Sequence, residues 1–355
     1  NDAVSIYGTQ SNVSNRNYDF GGNVSTSYYK NGLANSKLTW ERTQEFNVGL
    51  DFGFFRNRIN GSLDVYQRTS KDLIMERQLP STTGWTSVWD NIGKVKNTGL
   101  ELSINTMNVQ TSDFSWQTNI IFDTNKNEIL ELYGGKKDDI GNKWFIGEAI
   151  NVNYDYEFDG IWQTSEADKA AIYGQTPGQV KVKDQNHDNV IDAKDKVILG
   201  QQLPKWTGSI TNTFTYKNWD LAFNVYTRQG AQLNSTFVSS FMAYDGNYNQ
   251  AKVDYWTETN PTNKYPQPGN KGKYFSSMCY QDVSFVRVGY ITLGYTFPMS
   301  LLKPTGIKRL KLYATANNPF LFTSFKGFDP EWATQNTWGE ATSTRTFLFG
   351  VKLAF

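Results

Sequence analysis

Residues 205–228 read KWTGSITNTFTYKNWDLAFNVYTR, and their side chains alternate between two chemical types. One set is apolar: Trp206, Ile210, Phe214 and Tyr216. The set between them is polar: Lys205, Thr207, Ser209, Thr211, Thr213 and Thr215. Because successive residues of a β-strand point to opposite sides of its sheet, this pattern predicts a strand with one apolar and one polar face. After a predicted turn at 217–218, a second strand repeats the apolar set with Trp219, Leu221, Phe223 and Val225.

The same alternation recurs on both sides of this hairpin. Several further segments carry apolar residues at every second position, among them Phe46, Val48, Leu50, Phe52, Phe54, Leu100, Leu102, Ile104, Leu310, Leu312, Phe347, Phe349, Val351, Leu353 and Phe355. Nine strands are predicted between Thr43 and Phe355. Because an odd number of strands leaves an open edge, we expect the chain to be part of a larger closed barrel.

The predicted connections alternate between short turns and long loops. The short turns lie near residues 56–57, 110–113, 217–218 and 298–305. The long loops span about 80–91, 127–204, 229–278 and 318–343. Short turns at one end and long loops at the other are typical of outer-membrane β-barrels, whose short turns are periplasmic. We therefore expect the long loops at the cell surface and Phe355 at the periplasmic end.

The composition favours an all-β protein. Of the 355 residues, 15% are aromatic and only 38% are hydrophobic, and Thr, Ser, Asn and Gly are abundant, which excludes long helical bundles. No run of 18 apolar residues predicts a transmembrane helix. The mean hydropathy of −0.56 does not argue against a membrane barrel, because strands of alternating polarity average out.

A soluble β-sandwich is the main structural alternative, since its strands also alternate. The loop asymmetry, the Thr/Ser/Asn-rich face and the aromatic terminus favour the membrane barrel. Aromatic residues near the strand ends suit the interfacial girdles of such a barrel: Trp206, Tyr216, Trp219, Tyr295 and Phe297. One face is predicted to contact lipid through Phe46, Leu50, Leu102, Trp116, Phe214, Phe223 and Phe349. The threonine face of residues 207–215 is predicted to line the lumen.

Charge and rare residues exclude several functional classes. Lys plus Arg total 35 against 34 acidic residues, and the two signs are interspersed, so no basic stripe predicts nucleic-acid binding. Cys279 is the single cysteine, which rules out an internal disulfide and a cysteine-built zinc site. His187 is the single histidine, which excludes an HExxH metalloprotease. The sequence has no Gly-rich phosphate-binding loop either.

A metal-binding loop is predicted at residues 184–195. Its oxygen donors have the spacing of an EF-hand calcium loop, with Val190 contributing a backbone carbonyl beside Asp184, Asn186, Asp188, Asp192 and Asp195. Asn189 replaces the usual glycine, and an aspartate replaces the usual final glutamate. Strand-like residues rather than helices flank the loop. We expect a structural calcium ion here; the alternative is a solvated acidic turn, with His187 exposed.

No residue set predicts catalysis, so we do not expect an enzyme. Aromatic residues of the long loops could stack on sugar rings: Trp85, Trp89, Tyr244, Tyr248 and Trp256. For any one of them, packing within the loops is the more common role.

Several segments together resemble SusC/RagA-type TonB-dependent outer-membrane transporters. They are NIGKVKNTGLELSI (91–104), DQNHDNVIDAKDKVILG (184–200), LPKWTGSITNTFTYKNWDL (203–221), SFVRVGYITLGYTFP (284–298), RLKLYATANNPFLFTSFKGFDPE (309–331) and FLFGVKLAF (347–355). The similarity runs in family order from about Thr39 to the end of the chain.

The resemblance implies a fold and a function. Family members have an N-terminal plug and a 22-stranded barrel, so this chain looks like the C-terminal part of the barrel, without the plug or the TonB-contacting segment. The resemblance implies import of oligosaccharides or peptides, a SusD-like surface lipoprotein as partner, and energy from the TonB complex. Two rival functions are a soluble glycan-binding β domain or hydrolase, which would fold in buffer, and a passive porin, which would not need TonB.

Overall fold

The computed structural model describes residue 9 and residues 13–244, 249–333 and 342–355. Strands dominate it. They are β1 (Val13–Phe20), β2 (Asn23–Lys30), β3 (Arg42–Phe54), β4 (Ile59–Gln78), β5 (Ser87–Gln110), β6 (Phe114–Leu132), β7 (Val152–Tyr156), β8 (Phe158–Ile161), β9 (Val180–Val182), β10 (Lys196–Gln201), β11 (Trp206–Tyr216), β12 (Trp219–Gln229), β13 (Gln232–Asn234), β14 (Tyr280–Asp282), β15 (Phe285–Thr296), β16 (Arg309–Thr323) and β17 (Thr346–Ala354).

The helices are short. They are α1 (Ala167–Ile172), α2 (Thr236–Phe241), α3 (Met299–Leu302) and the 3₁₀ turns Ser81–Thr83, Thr164–Glu166, Ala193–Asp195, Phe275–Cys279 and Lys303–Thr305. No helix within the described ranges has the length and apolar character needed to cross a membrane.

The main sheet contains nine strands in the order β17-β16-β15-β12-β11-β6-β5-β4-β3. The order follows the chain, and β11 pairs antiparallel with β6 on one side and with β12 on the other. Strands β12, β15, β16 and β17 continue the same antiparallel pairing. The nine predicted strands are therefore confirmed. Four two-stranded ribbons accompany the sheet: β1-β2, β7-β10, β8-β9 and β13-β14.

The chain divides into two compact units. Unit 1 comprises residues 1–48, 65–99 and 125–151, and a small core forms in it around Val95, Ile129 and Leu132. Unit 2 comprises residues 49–64, 100–124 and 152–355. It contains the full length of β7 to β17 and two further apolar cores.

The predicted short turns are confirmed, and local backbone chemistry explains them. Phe55, Arg56 and Asn57 have positive φ angles between β3 and β4, a conformation that reverses the chain within a few residues. Lys217 also has a positive φ in the two-residue turn between β11 and β12. Pro298 ends β15, because proline has no amide proton for a strand ladder.

The long connections contain more structure than predicted. Strand β5 begins at Ser87 and β6 extends to Leu132, so the predicted loops 80–91 and 127–204 start or end inside strands. The second of these loops also contains β7 to β10 and α1, while loop 229–278 contains β13 and α2. Strand β16 likewise runs to Thr323, inside the predicted loop 318–343. The strands β7 to β10 and β13 have only three to six residues each, too few for a period-two pattern to be distinguishable from chance.

The register places the apolar residues of neighbouring strands on one face. Phe214 lies opposite Trp116 on β6 and Leu221 on β12. Its ring stacks on Trp116 with 5.5 Å between centroids and lies 6.2 Å from the ring of Phe223. In the part of the chain that is described, Phe349 is 85% exposed, so the apolar face is not covered by protein. Contact of this face with lipid stays a prediction.

We predict that an arginine at Phe214 impairs insertion far more than an arginine at Thr213. The two residues are adjacent on β11 but lie on opposite faces of the sheet. A lipid-facing arginine costs about 2–4 kcal/mol near the bilayer midplane and less toward the interface, whereas a lumen-facing one remains hydrated. The measurement is the folded fraction of full-length Phe214→Arg and Thr213→Arg protein in outer-membrane preparations. Equal folded fractions would contradict the assignment of the faces.

Candidate functional site

The long connections of unit 2 fold into an apolar core, which we call the loop core. Its buried residues are Ile161, Val180, Val182, Val238, Met242, Ala243, Trp256, Tyr265, Tyr274, Phe275 and Cys279. Each large side chain buried in this way stabilises the packed state by about 1.5–3 kcal/mol. Burial raises the pKa of the Cys279 thiol to about 12, so it stays protonated and unreactive at neutral pH. The connections are therefore a folded layer.

Two glutamines accept hydrogen bonds from tryptophan side chains of this layer, one of them across a long stretch of the chain. The Nε1 of Trp162 donates to the Oε1 of Gln175 at 2.9 Å, and the Nε2 of Gln175 donates to the carbonyl of Val180 at 2.9 Å. The Nε1 of Trp256 donates to the Oε1 of Gln163 at 3.0 Å across 93 residues of sequence. These bonds satisfy buried polar atoms that would otherwise be costly.

The aromatic residues proposed to stack on sugars divide into three groups. Trp256 is 3% exposed in the loop core, and a ring so deeply buried offers no face to a sugar. The hydroxyl of Tyr244 donates to the carbonyl of Ala251 at 2.6 Å, so this residue also packs within the loops. Trp85 and Trp89 lie in unit 1 and are partly exposed, and a substrate contact there stays a prediction. Tyr248 lies outside the described residues.

The predicted metal loop connects β9 to β10. These two strands pair with β8 and β7, respectively, so the loop joins two two-stranded ribbons. Asp184 anchors the start of the loop: its two carboxylate oxygens accept from the backbone amides of His187 at 2.7 Å and Asn189 at 2.8 Å. Desolvation would raise the pKa of Asp184, but the backbone hydrogen bonds from Asn189 and His187 outweigh it and lower the pKa. Asn189 has a φ of 62°, in the left-handed region that the usual glycine adopts easily.

The end of the loop is anchored by Asp195, which is buried. One carboxylate oxygen of Asp195 accepts from the amide of Gln185 at 2.9 Å, and the other accepts from the amide of Asp192 at 2.8 Å. The first and last predicted ligands therefore close the same turn. The hydrogen bonds of Asp184 and Asp195 thus hold the loop in a defined turn by themselves.

The middle of the loop holds a cationic side chain. The Nζ of Lys194 lies 3.9 Å from a carboxylate oxygen of Asp188 and 3.6 Å from one of Asp192. Asn186 donates to the carboxylate of Asp188 at 2.9 Å. Within the described ranges, no group of three or more His, Cys, Asp and Glu side chains is arranged to hold a metal ion. The calcium site, including the carbonyl of Val190, stays a prediction.

A buried ion pair joins the sheet to the connection after β16. A guanidinium nitrogen of Arg287 on β15 donates to a carboxylate oxygen of Asp329 at 2.6 Å, and the two side chains are 2% and 4% exposed. Asp329 also accepts from the backbone amides of Glu331 at 2.9 Å and Ser343 at 3.1 Å. Burial would raise the pKa of Asp329, but the bond from Arg287 and the backbone bonds outweigh it and lower the pKa.

Sequence reasoning missed this ion pair because its partners are 42 residues apart. Asp329 belongs to the segment 309–331 that carries the family resemblance, but nothing in that segment identifies Arg287 as its partner. The neighbouring Glu331 accepts from the hydroxyl of Tyr226 at 2.8 Å and lies 3.3 Å from the guanidinium of Arg228. The connection after β16 is thus fixed to β12 and β15 through charged groups.

Comparison with protein families gives one match that covers most of the chain. The family model described as TonB dependent receptor-like, beta-barrel, matches residues 1–318. Among curated proteins, TonB-dependent receptor P26 of Formosa agariphila is 30% identical over 347 residues, which cover 93% of this chain and 35% of the relative. TonB-dependent receptor SusC of Bacteroides thetaiotaomicron is 31% identical over 333 residues, covering 90% of this chain and 32% of the relative.

Solved structures agree with this match. The structure of the RagAB peptide transporter superposes with a TM-score of 0.78 at 25% identity, covering 100% of this chain and 40% of the other. The RagAB peptide importer in its open-open state gives 0.77 at 25% identity, covering 99% and 38%. The chain spans about a third of the length of the curated relatives it matches.

We predict that Asp329→Asn in the full-length protein destabilises the connection after β16 by about 3–5 kcal/mol, because Arg287 would be left buried with a weakened partner. The matched control is Asp254→Asn, which removes an exposed ion pair to Lys264 at 3.0 Å and should cost at most about 1 kcal/mol. The measurement is urea-dependent protease cleavage between residues 326 and 345. Similar cleavage of both variants would contradict a stabilising role for the buried pair.

The same pair predicts a pH dependence. Folding lowers the pKa of Asp329. The contribution of this carboxylate to the stability of the connection is therefore fully present above its unfolded pKa of about 3.9, and it is lost as the pH falls through the lower pKa of the folded state. Protection of the connection should therefore be constant from neutral pH down to about pH 4 and fall below it. An acid-resistant protease provides the readout, and Asp329→Asn should remove this acid transition.

Proposed function

This chain belongs to the TonB-dependent receptor β-barrel family, and we propose that the whole protein is an outer-membrane importer of the SusC/RagA type. The observation that carries the proposal is the meander of nine antiparallel strands with an uncovered apolar face and a polar opposite face. A polar inner face and an apolar outer band are what a membrane barrel requires. The relatives are named as receptors and transporters, and we assign no catalytic activity to the protein.

The proposal includes the partners and the orientation of the protein. We infer that the long connections, with the loop core, face the outside of the cell and that Phe355 lies at the periplasmic end. A SusD-like lipoprotein would cover the outer side, and the TonB complex would supply energy through a segment outside this chain. The cargo would be an oligosaccharide or a peptide; the solved relative RagAB is described as a peptide transporter.

We predict that uptake by the full-length protein requires TonB. The test uses a strain in which this gene encodes the only importer for a given nutrient. Deletion of tonB should reduce growth on that nutrient to the level seen when the importer itself is deleted, because a plugged barrel does not open without energy input. Growth on a monosaccharide that crosses general porins is the control. Growth that is independent of TonB would instead identify a passive porin.

We also propose that the loop 184–195 binds calcium as a structural ion. Support comes from the donor spacing, from the turn that Asp184 and Asp195 close, and from the Lys194 ammonium group, which is a cation lying beside two of the predicted ligands. A calcium ion would be held by Asp184, Asn186, Asp188, Asp192 and Asp195 and by the carbonyl of Val190, and it would neutralise their charge. Because the ion would bind only the folded loop, it would stabilise the two ribbons that the loop joins.

We predict that calcium protects this loop and that Asp188→Ala abolishes the protection. In the full-length protein, protease cleavage between residues 184 and 200 should be slower with calcium than with chelator. Asp168→Ala, which removes an exposed carboxylate of α1, is the matched control and should keep the protection. Lys194→Gln should lower the calcium concentration needed, because it removes a competing cation. Cleavage that is the same with calcium and with chelator would make the loop a solvated acidic turn.

A further inference from the structure

The connection between β15 and β16 projects from the sheet as a small folded segment. The amide of Phe297 donates to the carbonyl of Leu310 at 2.9 Å and closes the hairpin, so residues 298–309 lie beyond this bond. We call these residues the rim segment. It contains α3 and the 3₁₀ turn Lys303–Thr305, and it turns back at Gly306, whose φ of 75° lies in the left-handed region.

The rim segment lies at the same end of the sheet as the two-residue turn between β11 and β12. The amide of Thr296 donates to the carbonyl of Asn218 in that turn at 2.9 Å. On the other side of the hairpin, Arg309 pairs with Ala354 at the end of β17. Strand β15 thus ends level with the short turn, and the rim segment extends beyond it. Under the proposed function this end of the sheet is periplasmic.

Aromatic rings lie at the point where the rim segment leaves the apolar face. Tyr295 is opposite Trp219 and Leu312, and its ring centroid is 4.7 Å from that of Trp219. The ring of Phe297 packs edge-on against Tyr295 with 5.1 Å between centroids. Rings at strand ends are typical of the headgroup level of a membrane barrel. Under the proposed function, the rim segment therefore starts at headgroup depth on the lipid side of the sheet.

The rim segment exposes two large apolar side chains. Met299 is 51% exposed and Leu301 is 62% exposed, whereas Leu302 is 5% exposed. The amide of Leu301 donates to the carbonyl of Pro298 at 3.0 Å, which closes the single turn of α3. Transfer of Met299 and Leu301 into an apolar layer would be favourable, because it removes their surface from water.

Three cationic side chains accompany these apolar ones. Lys303, Lys308 and Arg309 are the charged residues of the rim segment, and the sequence has no Asp or Glu from residue 283 to residue 328. All three are exposed, and within the described ranges none of them forms an ion pair. The next basic residue along the chain, Lys311, differs because it is paired with Asp220 at 2.7 Å. The positive charge of the rim segment is thus open to an anion outside this chain.

We propose that the rim segment is an interfacial anchor that binds a phospholipid leaflet. Met299 and Leu301 enter the boundary between headgroups and acyl chains, and Lys303 and Lys308 bind the phosphate groups of the lipids. The inference rests on the proposed function, because it assumes that the apolar face contacts lipid. Apolar side chains beside lysine and arginine are the composition with which surface segments bind a membrane. Cations near a membrane surface also attract anionic headgroups.

The alternative occupant of the rim segment is protein, either the plug or another periplasmic chain. A protein surface that covered Met299 and Leu301 would also have to supply anionic groups for Lys303 and Lys308. A phospholipid carries an acyl chain and a phosphate in one molecule, so it matches both features. The start of the segment beside Tyr295, on the apolar side of the sheet, also favours lipid.

The test uses the full-length protein in phosphatidylcholine vesicles, with cysteines outside this chain replaced by serine. Cys279 can remain, because it is buried and its raised pKa keeps the thiol protonated, so a thiol-directed spin label does not modify it. The label is placed at Leu301→Cys, with Met299→Cys as a second site if the first variant does not assemble. Its access to oxygen, which concentrates in lipid, is compared with its access to a water-soluble nickel chelate. Phe349→Cys, on the apolar face, and Lys169→Cys, on the exposed side of α1, are the controls.

We expect the label at residue 301 to encounter oxygen more often than the chelate, as at residue 349, and the label at residue 169 to show the reverse. Greater access to the chelate at residue 301 would place the segment in water, and low access to both reagents would place it under protein. Either result overturns the inference while the proposed function stands. If residue 349 behaves like residue 169, the apolar face does not contact lipid, and the proposed function itself fails.

A second measurement tests the cations. The ratio of oxygen access to chelate access at Leu301→Cys is compared between vesicles of phosphatidylcholine alone and vesicles that also contain phosphatidylglycerol. The anionic lipid should raise this ratio, because it draws the segment toward the leaflet. Adding Lys303→Gln with Lys308→Gln should abolish the increase, whereas Lys169→Gln, the matched control, should keep it. An increase that persists without the two lysines, or no increase at all, overturns their assignment to phosphate groups.

Discussion

A backbone that lies in hydrocarbon has no water to satisfy its amide and carbonyl groups, so each strand must pair with its neighbours on both sides. The main sheet meets this requirement in the simplest way. Its strands are arranged in the order in which they occur in the chain, so every inner strand is paired on both sides. Under the proposed function the same constraint also accounts for the period-two pattern, in which one side of every strand would meet lipid. The two edge strands, β3 and β17, are the places where a closed barrel would continue.

The parts of the fold that could be predicted from the sequence are those with local causes. The nine strands follow from alternation over nine or more residues, and the short turns follow from residues such as Asn57 and Asn218. The small strands of the connections could not be predicted, because β9 and β13 have three residues each. Their apolar residues Val180, Val182 and Leu233 are buried in cores whose other members are distant in sequence.

The candidate sites show the same division. The loop 184–195 could be predicted from the spacing of its acidic residues, because a turn is a local structure. The position of Lys194 beside the carboxylates of Asp188 and Asp192 could not be predicted from that spacing. Alternation placed Thr211 on a polar face, but the residues that lie opposite it depend on the register between strands. No sequence pattern pairs Asn119 with Thr211, because β6 and β11 are separated by the long connection that contains β7 to β10.

The bond between Arg287 and Asp329 also has a consequence for assembly. Arg287 lies on β15 and Asp329 follows β16, so the bond requires the β15–β16 hairpin to have the correct register. A slip of one residue would turn Arg287 to the opposite face of the sheet and leave Asp329 without its partner. A buried charge without its partner is strongly destabilising, so a hairpin with the wrong register is less stable than the correct one. The ion pair thus favours the correct register as well as the stability of the folded connection.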